Sequence, residues 1–313
     1  MKATMAAAAS DDVSAFFGSK GGLRPQMWFL NDLSMGQAIF HHHQCQTLPL
    51  IHQTASSDHG DDGPLPRMIH IVWLGDQPLS KQSEECIESW HRHHPGWVFQ
   101  VWRDDDIVKQ HDQLFNKDAL KYALRHGHYG MASDILRLEL LYQHGGLYVD
   151  VDYFCVASLT DLHDGRFDFY CGASNTGCVE INNGIFACQP GHFLLKRLMR
   201  AIQTWFQEHN ARCQAFEAMG AFLDEQTRTS LASAQTLSHQ NVIRLTGPGL
   251  WTITLAQALV DDEATQRVAI LPSTFFHPMP NTQRARPESL EQWVVPNQTR
   301  AIHLWQRSWQ HES

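Results

Sequence analysis

The sequence has no uninterrupted apolar stretch of the roughly 20 residues that a bilayer-crossing helix needs, so no transmembrane segment is expected; peripheral contact with a membrane stays open. Cationic side chains are scarce. Lys and Arg total 24 against 33 Asp and Glu, a net charge of -9. This argues against a general nucleic-acid binder, whose affinity comes from neutralising phosphates. Cysteine is sparse and unpatterned. The seven residues, Cys45, Cys86, Cys155, Cys171, Cys178, Cys188 and Cys213, are odd in number and none has C-x-x-C spacing. A disulfide scaffold and a zinc ribbon are therefore not expected. Reduced, mostly buried thiols in a cytoplasmic protein are. The Ala-rich start is short, weakly hydrophobic and closed by Asp11 and Asp12, and is not read as a secretion signal. What is present is a chain of 313 residues with 43% hydrophobic content, enough to bury a substantial core.

Residues 1–64 read as a distinct N-terminal extension, partly flexible. The run Ser56–Pro64 is a linker by composition, and the triplet His41-His42-His43 is expected to be solvated rather than a metal site. Phe40 and Met27–Leu30 suggest that part of the extension packs on the body. Regular structure is expected from residue 65 to 313. Met68–Leu74 is a continuous apolar run, as for a strand buried on both faces. Ser80 caps a helix that Pro95-Gly96 ends, and Trp97–Trp102 is a second strand. Asp104-Asp105-Asp106 fit the start of a helix better than a metal site. Further strands are expected at Phe167–Cys171, Gly184–Cys188 and Val268–Leu271. A long amphipathic helix follows Pro190-Gly191, and another helix opens at Thr246–Gly249. Strands alternating with helices predict an α/β fold with a mainly parallel sheet.

The centre of the sequence carries the chemistry. From Ile135 to Tyr142 apolar residues point nearly all round a helix axis, so that helix is buried. It nevertheless carries Asp134 and Arg137 one turn apart. Buried charges need partners. The pair either form a salt bridge with each other or face a polar ligand. Gly145-Gly146 stops the helix. A strand from Leu147 to Asp152 is then expected to place Leu147, Val149 and Val151 on one face and Tyr148, Asp150 and Asp152 on the other. Two adjacent carboxylates repel unless a cation lies between them, and hard oxygen ligation suits Mn²⁺ or Mg²⁺ held against substrate phosphates. A bare D-x-D is a weak signal. Preceded at this spacing by S-D-I-L-R and G-G-L-Y, it becomes specific.

That combination resembles the DXD-containing sugar transferases of glycosyltransferase family 32, which include fungal α-mannosyltransferases and are related to α-1,4-galactosyltransferases and the clostridial glucosylating toxins. The resemblance covers roughly residues 66–190. It extends through Pro66–Gly75, Trp90–Trp102 and Asn182–Gly191, with weaker elements at His303–Trp309. It implies a GT-A-like, Rossmann-related domain. It also implies retaining, metal-dependent transfer of a hexose from a UDP-hexose or GDP-mannose to a hydroxyl acceptor. Carried over by residue, it implies Trp73 at the nucleotide base and Asp134 at ribose or sugar hydroxyls. Arg137 would meet the donor sugar or phosphate, Asp150 would bridge ribose and metal, and Asp152 would bind the metal. Asn183 would lie near the transferred sugar, and His303 and Trp309 over the diphosphate. Tyr148 shares the Asp150 face. Core packing of Trp73 and Trp309 and a simple turn at Asn183-Gly184 are the bland alternatives.

Other enzyme classes fit less well. Val149–Ser158 has some likeness to the D-x-D segment of lesion-bypass polymerases, but those place it at the extreme N-terminus on a basic body. A haloacid-type phosphatase would want Thr or Val where Tyr153 stands. An inactive sugar- or nucleotide-binding module is the non-enzyme alternative, against which the intact Asp150 and Asp152 weigh.

Overall fold

A computed structural model describes residues 13–19, 23–24, 32–52, 65–220, 239–261, 267–283 and 289–306. Its helices are α1 (Asp32–His42), α2 (Leu48–His52), α3 (Lys81–His93), α4 (Asp104–Gln110), α5 (Lys117–Arg125), α6 (Tyr129–His144), α7 (Phe193–Gly220), α8 (His239–Leu245), α9 (Pro248–Val260) and α10 (Ser273–Phe276). Its strands are β1 (Met68–Val72), β2 (Val98–Trp102), β3 (Gly146–Val149), β4 (Tyr153–Cys155), β5 (Phe169–Ala173), β6 (Ile181–Cys188), β7 (Val268–Leu271) and β8 (Ala301–His303).

Six strands form one sheet in the order β2-β1-β3-β6-β5-β7. β2, β1 and β3 are mutually parallel, as are β5 and β7. β6 runs against both of its neighbours. The result is an α/β fold with a mainly parallel sheet. Apolar side chains on its two faces pack into separate cores, with Tyr148 and Phe186 in one and Leu147, Val149 and Ile185 in the other. The alternation expected after Gly146 is therefore real, and both faces are covered, as a crossover sheet requires.

Several expectations need correction. The strand read as Leu147–Asp152 stops at Val149. The chain turns at Val151-Asp152 and leaves as β4, which pairs with β8 in a small second sheet. Asp150 and Asp152 thus flank a turn rather than share a strand face. Asn182 and Asn183 lie inside β6 rather than in a turn. Local side-chain bonds there replace turn chemistry: Gly184 N–H donates to Asn182 Oδ1 at 2.7 Å, and the β5–β6 register shifts between Cys171 and Gly172.

Of the histidine triplet expected to be solvated, only His41 is exposed. His42 and His43 are buried. Their ring nitrogens lie 2.7 Å from the Val268 carbonyl and 2.9 Å from the Ile270 carbonyl. β7 is an edge of the sheet, and these rings satisfy carbonyls that an uncovered edge would leave open. The stretch Met27–Leu30 lies outside the described residues.

Candidate functional site

A cavity of about 510 Å³ opens where β1 and β3 end. Its wall includes Trp73, Asp134, Arg137, Asp150, Asp152, Asn183 and His303. Six of the expected residues thus join Arg137 around one space. Tyr148 is fully buried beneath it, and Trp309 lies outside the described residues. Ligands in open α/β sheets bind beyond the carboxyl ends of strands, and this cavity is so placed.

Gly145 sets up the geometry. It caps α6 at φ 65°, in the left-handed region where a β-carbon is costly, and its N–H donates to Leu141 O at 2.8 Å. The tight exit brings β3 back alongside α6, so that Asp150 meets Arg137 from about two turns before the helix end.

Arg137 is the hub. Nη1 donates to the Asn183 carbonyl at 2.6 Å and to Asp150 Oδ2 at 3.4 Å. Nη2 lies 3.3 Å from Asp134 Oδ1 and 3.2 Å from Asp150 Oδ1, and donates to Ser133 Oγ at 3.1 Å. Nε donates to the Ser133 carbonyl at 3.2 Å. The guanidinium also lies 4.6 Å over the Tyr148 ring. The salt bridge to Asp134 and a wall position in the cavity, considered as alternatives from sequence, coexist. Burial alone would lower the Arg137 pKa, but Asp150, then Tyr148 and Asp134, reverse this and hold the cation firmly charged.

The carboxylates are differently held. Asp134 Oδ1 accepts from Asn183 Nδ2 at 2.8 Å, and its Oδ2 lies 3.0 Å from Thr246 Oγ1. Burial pushes its pKa up against the pull of Arg137 and Thr246. Asp150 Oδ1 accepts the Tyr148 hydroxyl proton at 2.6 Å. With that proton spent, the Ser133 hydroxyl 3.0 Å away must donate to the Tyr148 oxygen. Burial raises Asp150 too, opposed by Arg137 and aided by the negative charge of Asp152. Asp152 Oδ2 accepts from the Gln306 N–H at 2.8 Å and lies 3.1 Å from His303 Nε2. The Asp152 carbonyl also accepts from Leu304 N–H at 2.9 Å. The β4–β8 pairing therefore delivers the C-terminal segment to the second aspartate.

Among the described residues, no three His, Cys, Asp or Glu side chains converge as a metal cage. Two carboxylates flanking a turn beside a cavity still fit a cation that takes its remaining ligands from phosphate and water. Burial, and after it the charge of Asp152, raise the Asp150 pKa against the pull of Arg137, and a cation between the two carboxylates would offset both.

Trp73 is half-buried. It packs on the core, lines the cavity and donates Nε1–H to Gln77 O at 2.7 Å. Sequence reasoning missed Ser133, Thr246 and Trp305. The Thr246-Gly-Pro-Gly249 run signalled a helix start, but not that its threonine would reach Asp134 from 112 positions away. Asp104 belongs to the first turn of α4 as expected, and its Oδ2 also accepts from Gly75 N at 2.8 Å, fixing the loop after Trp73.

The chain is similar to several known proteins. Subversion of eukaryotic traffic protein A of Legionella pneumophila is 27% identical over 217 residues, 61% of this chain and 31% of that protein. Inositol phosphoceramide mannosyltransferase 1 of Schizosaccharomyces pombe is 29% identical over 140 residues, 42% of this chain and 41% of that protein. The chain thus spans well under half the length of both. The solved PaToxG glycosyltransferase superposes with a TM-score of 0.49 at 15% identity, covering 75% of this chain and 82% of that one. Residues 80–168 match the family model described as "Glycosyltransferase sugar-binding region containing DXD motif". That segment holds Asp134, Arg137, Asp150 and Asp152. Residues 80–168 of the chain are therefore similar to a DXD-containing glycosyltransferase sugar-binding region, and Asp150-Val151-Asp152 is a D-x-D sequence within them.

Proposed function

We propose that this protein is a metal-dependent, retaining glycosyltransferase that moves a hexose from a nucleotide diphosphate sugar to a hydroxyl acceptor. The observation that carries the reading is the convergence of Asp150, Asp152 and the caged Arg137 on one cavity at the ends of β1 and β3. A volume of about 510 Å³ falls within the range of small-molecule sites. Mn²⁺ or Mg²⁺, held by Asp152 and Asp150, would supply Lewis-acid neutralisation of the leaving diphosphate.

The chain's own residues do the rest. Asp134, Asp150 and Ser133 fix Arg137 before substrate arrives, so its charge is oriented without reorganisation at the moment of bond cleavage. His303 and Gln306, which share the cavity wall with Asp152, hold its Oδ2 and so fix its orientation at the turn. Trp73 offers an aromatic face to the base and Asn183 sits at the sugar end. No side chain stands out as an acceptor base. Retention comes from the family resemblance, and a displacement on the face that the leaving group departs needs no protein nucleophile. The mannosyltransferase relative makes GDP-mannose a donor to test beside the UDP-hexoses.

The test is nucleoside diphosphate release from a panel of nucleotide sugars with Mn²⁺. Asp152→Ala should abolish release while leaving the fold intact by circular dichroism. Unchanged turnover in that variant removes the metal site. An inactive binding module would bind nucleotide yet release nothing in the wild type.

A further inference from the structure

The edge of the sheet at the cavity has an order. Trp73 follows β1, Asp150 follows β3, Asn182 and Asn183 open β6, and Thr176 follows β5. Because β6 runs antiparallel to β3 and β5 antiparallel to β6, all four positions lie at the same end of adjacent strands. Strands are spaced about 4.8 Å apart, so the order β1-β3-β6-β5 is a linear scale across the cavity. With the base at Trp73 and the diphosphate at Asp150, the hexose and then the acceptor fall towards β6 and the β5–β6 loop. Thr176 and Glu180 of that loop line the cavity.

The N-terminal extension grips this loop at three separate points. The Arg24 backbone N–H donates to the Gly177 carbonyl at 2.8 Å, and its Nη2 donates to the Thr176 carbonyl at 3.0 Å. Gly18 lies so flat on Asn175 that a β-carbon would come within 2.5 Å of its Cγ. Gly36 of α1 approaches Val179 so closely that a β-carbon would sit 2.8 Å from Cγ2. Behind these contacts, Val13, Phe16, Phe17 and Ile39 share the core that contains Val179 and Ile181. On the far side, Asn175 Nδ2 donates to Pro278 O at 3.1 Å and its carbonyl accepts from Asn281 N–H at 3.0 Å. The loop is held from both sides, and one side is the extension.

We infer that the N-terminal extension is a working part of the site: through Arg24 it positions the β5–β6 loop as the wall that receives the hexose and the acceptor. The inference rests on the reading of the cavity as a nucleotide-sugar site. Arg24 is a positioning residue, since it reaches carbonyls of the loop rather than the cavity itself.

The experiment uses the full chain and two variants that loosen different grips, Arg24→Ala and Gly36→Ala; alanine favours the helix at position 36 while pressing on Val179. Wild type and variants are compared by UDP and GDP binding with Mn²⁺, by donor hydrolysis, and by amide hydrogen exchange over residues 176–181. In Arg24→Ala exchange should rise about fivefold, the weight of one hydrogen bond, and in Gly36→Ala it should rise as the new β-carbon displaces Val179. The kcat for hydrolysis should fall, while UDP and GDP affinity stays unchanged, because the β1 and β3 ends are untouched. Arg24→Lys, which keeps one donor for Thr176 O, should restore part of kcat. Nucleotide binding in the wild type with unaltered exchange and kcat in both variants overturns this inference alone, as does a loss confined to diphosphate affinity. A wild type that binds neither UDP nor GDP overturns the underlying reading of the cavity.

Discussion

Gly184→Ala puts the arrangement of Asp150 to a sharp test. Gly184 lies in β6, directly behind the first aspartate of the motif. A β-carbon there would come 2.7 Å from Asp150 Oδ2, 2.9 Å from the Tyr153 hydroxyl and 3.0 Å from Asn182 Oδ1. Non-bonded carbon contacts settle near 3.5 Å, so the carboxylate must retreat by roughly 0.8 Å. Tyr153 and Asn182 have little room to yield, since the tyrosine hydroxyl is tied to Asn182 Oδ1 at 3.0 Å and to His277 Nε2 at 2.8 Å. Overpacking of this kind costs about 1–3 kcal/mol, and the stiffer unfolded chain returns about 0.4–1 kcal/mol. The net loss should lower the melting temperature by only a few degrees. Catalysis is less forgiving. Functional groups must hold to within about 0.5 Å, and a misplacement near 1 Å costs on the order of 100-fold. We expect kcat/KM to fall roughly 10- to 100-fold, with weaker Mn²⁺ binding by electron paramagnetic resonance titration. Wild-type kcat/KM and Mn²⁺ affinity in a folded Gly184→Ala protein would refute the reasoning.

Two further predictions follow from the buried charges and rings. Arg137→Lys replaces a planar fork that engages Asn183, Asp134, Asp150 and Ser133 with a single nitrogen. It should cost about 3 kcal/mol or more in denaturant unfolding and reduce turnover; normal kinetics with only a stability loss would leave Arg137 a purely structural residue. His70 is fully buried. Its Nδ1 accepts from Trp102 Nε1 at 3.0 Å while Nε2 faces the Gly145 carbonyl at 3.0 Å. Only the neutral ring makes both bonds, and burial lowers its pKa from 6.5 to about 4. The unfolded chain takes up the proton first, so the stability contributed by neutral His70 is complete above pH 6.5. It is lost as pH falls from there through about 4, amounting to about 3 kcal/mol. Urea midpoints measured across that window should drop on acidification, and His70→Asn should flatten the drop; an equal slope in both proteins would exclude His70 as a cause.

Much of the molecule was legible in its sequence because the signals were local. The apolar run at β1, the Ser80 cap, whose Oγ accepts the Ser83 N–H at 3.0 Å, and the Gly145 stop each follow from the conformational preferences of a few neighbouring residues. The all-round apolar helix could be read as buried, and its two charges as paired or functional. The turn after Val149 could not, because it depends on β8, some 150 residues away, pulling β4 out of line. Nor could the burial of His42 and His43, since only the assembled sheet creates an edge strand whose carbonyls need donors.

What the sequence determined by itself was the set of reactive groups: two aspartates, an arginine and a glycine-stopped helix at a spacing that resembles a DXD sugar-transferase region. Only the tertiary structure decided how those groups are held. Asp150 is held by Arg137 and Tyr148, Asp152 by His303 and Gln306, and Asp134 by Thr246 and Asn183. The holds on Asp152 and Asp134 join segments distant along the chain, whereas Asp150 is held from within its own helix–strand unit. The cost of leaving a buried charge without a partner, rather than any local preference, fixes which segments meet.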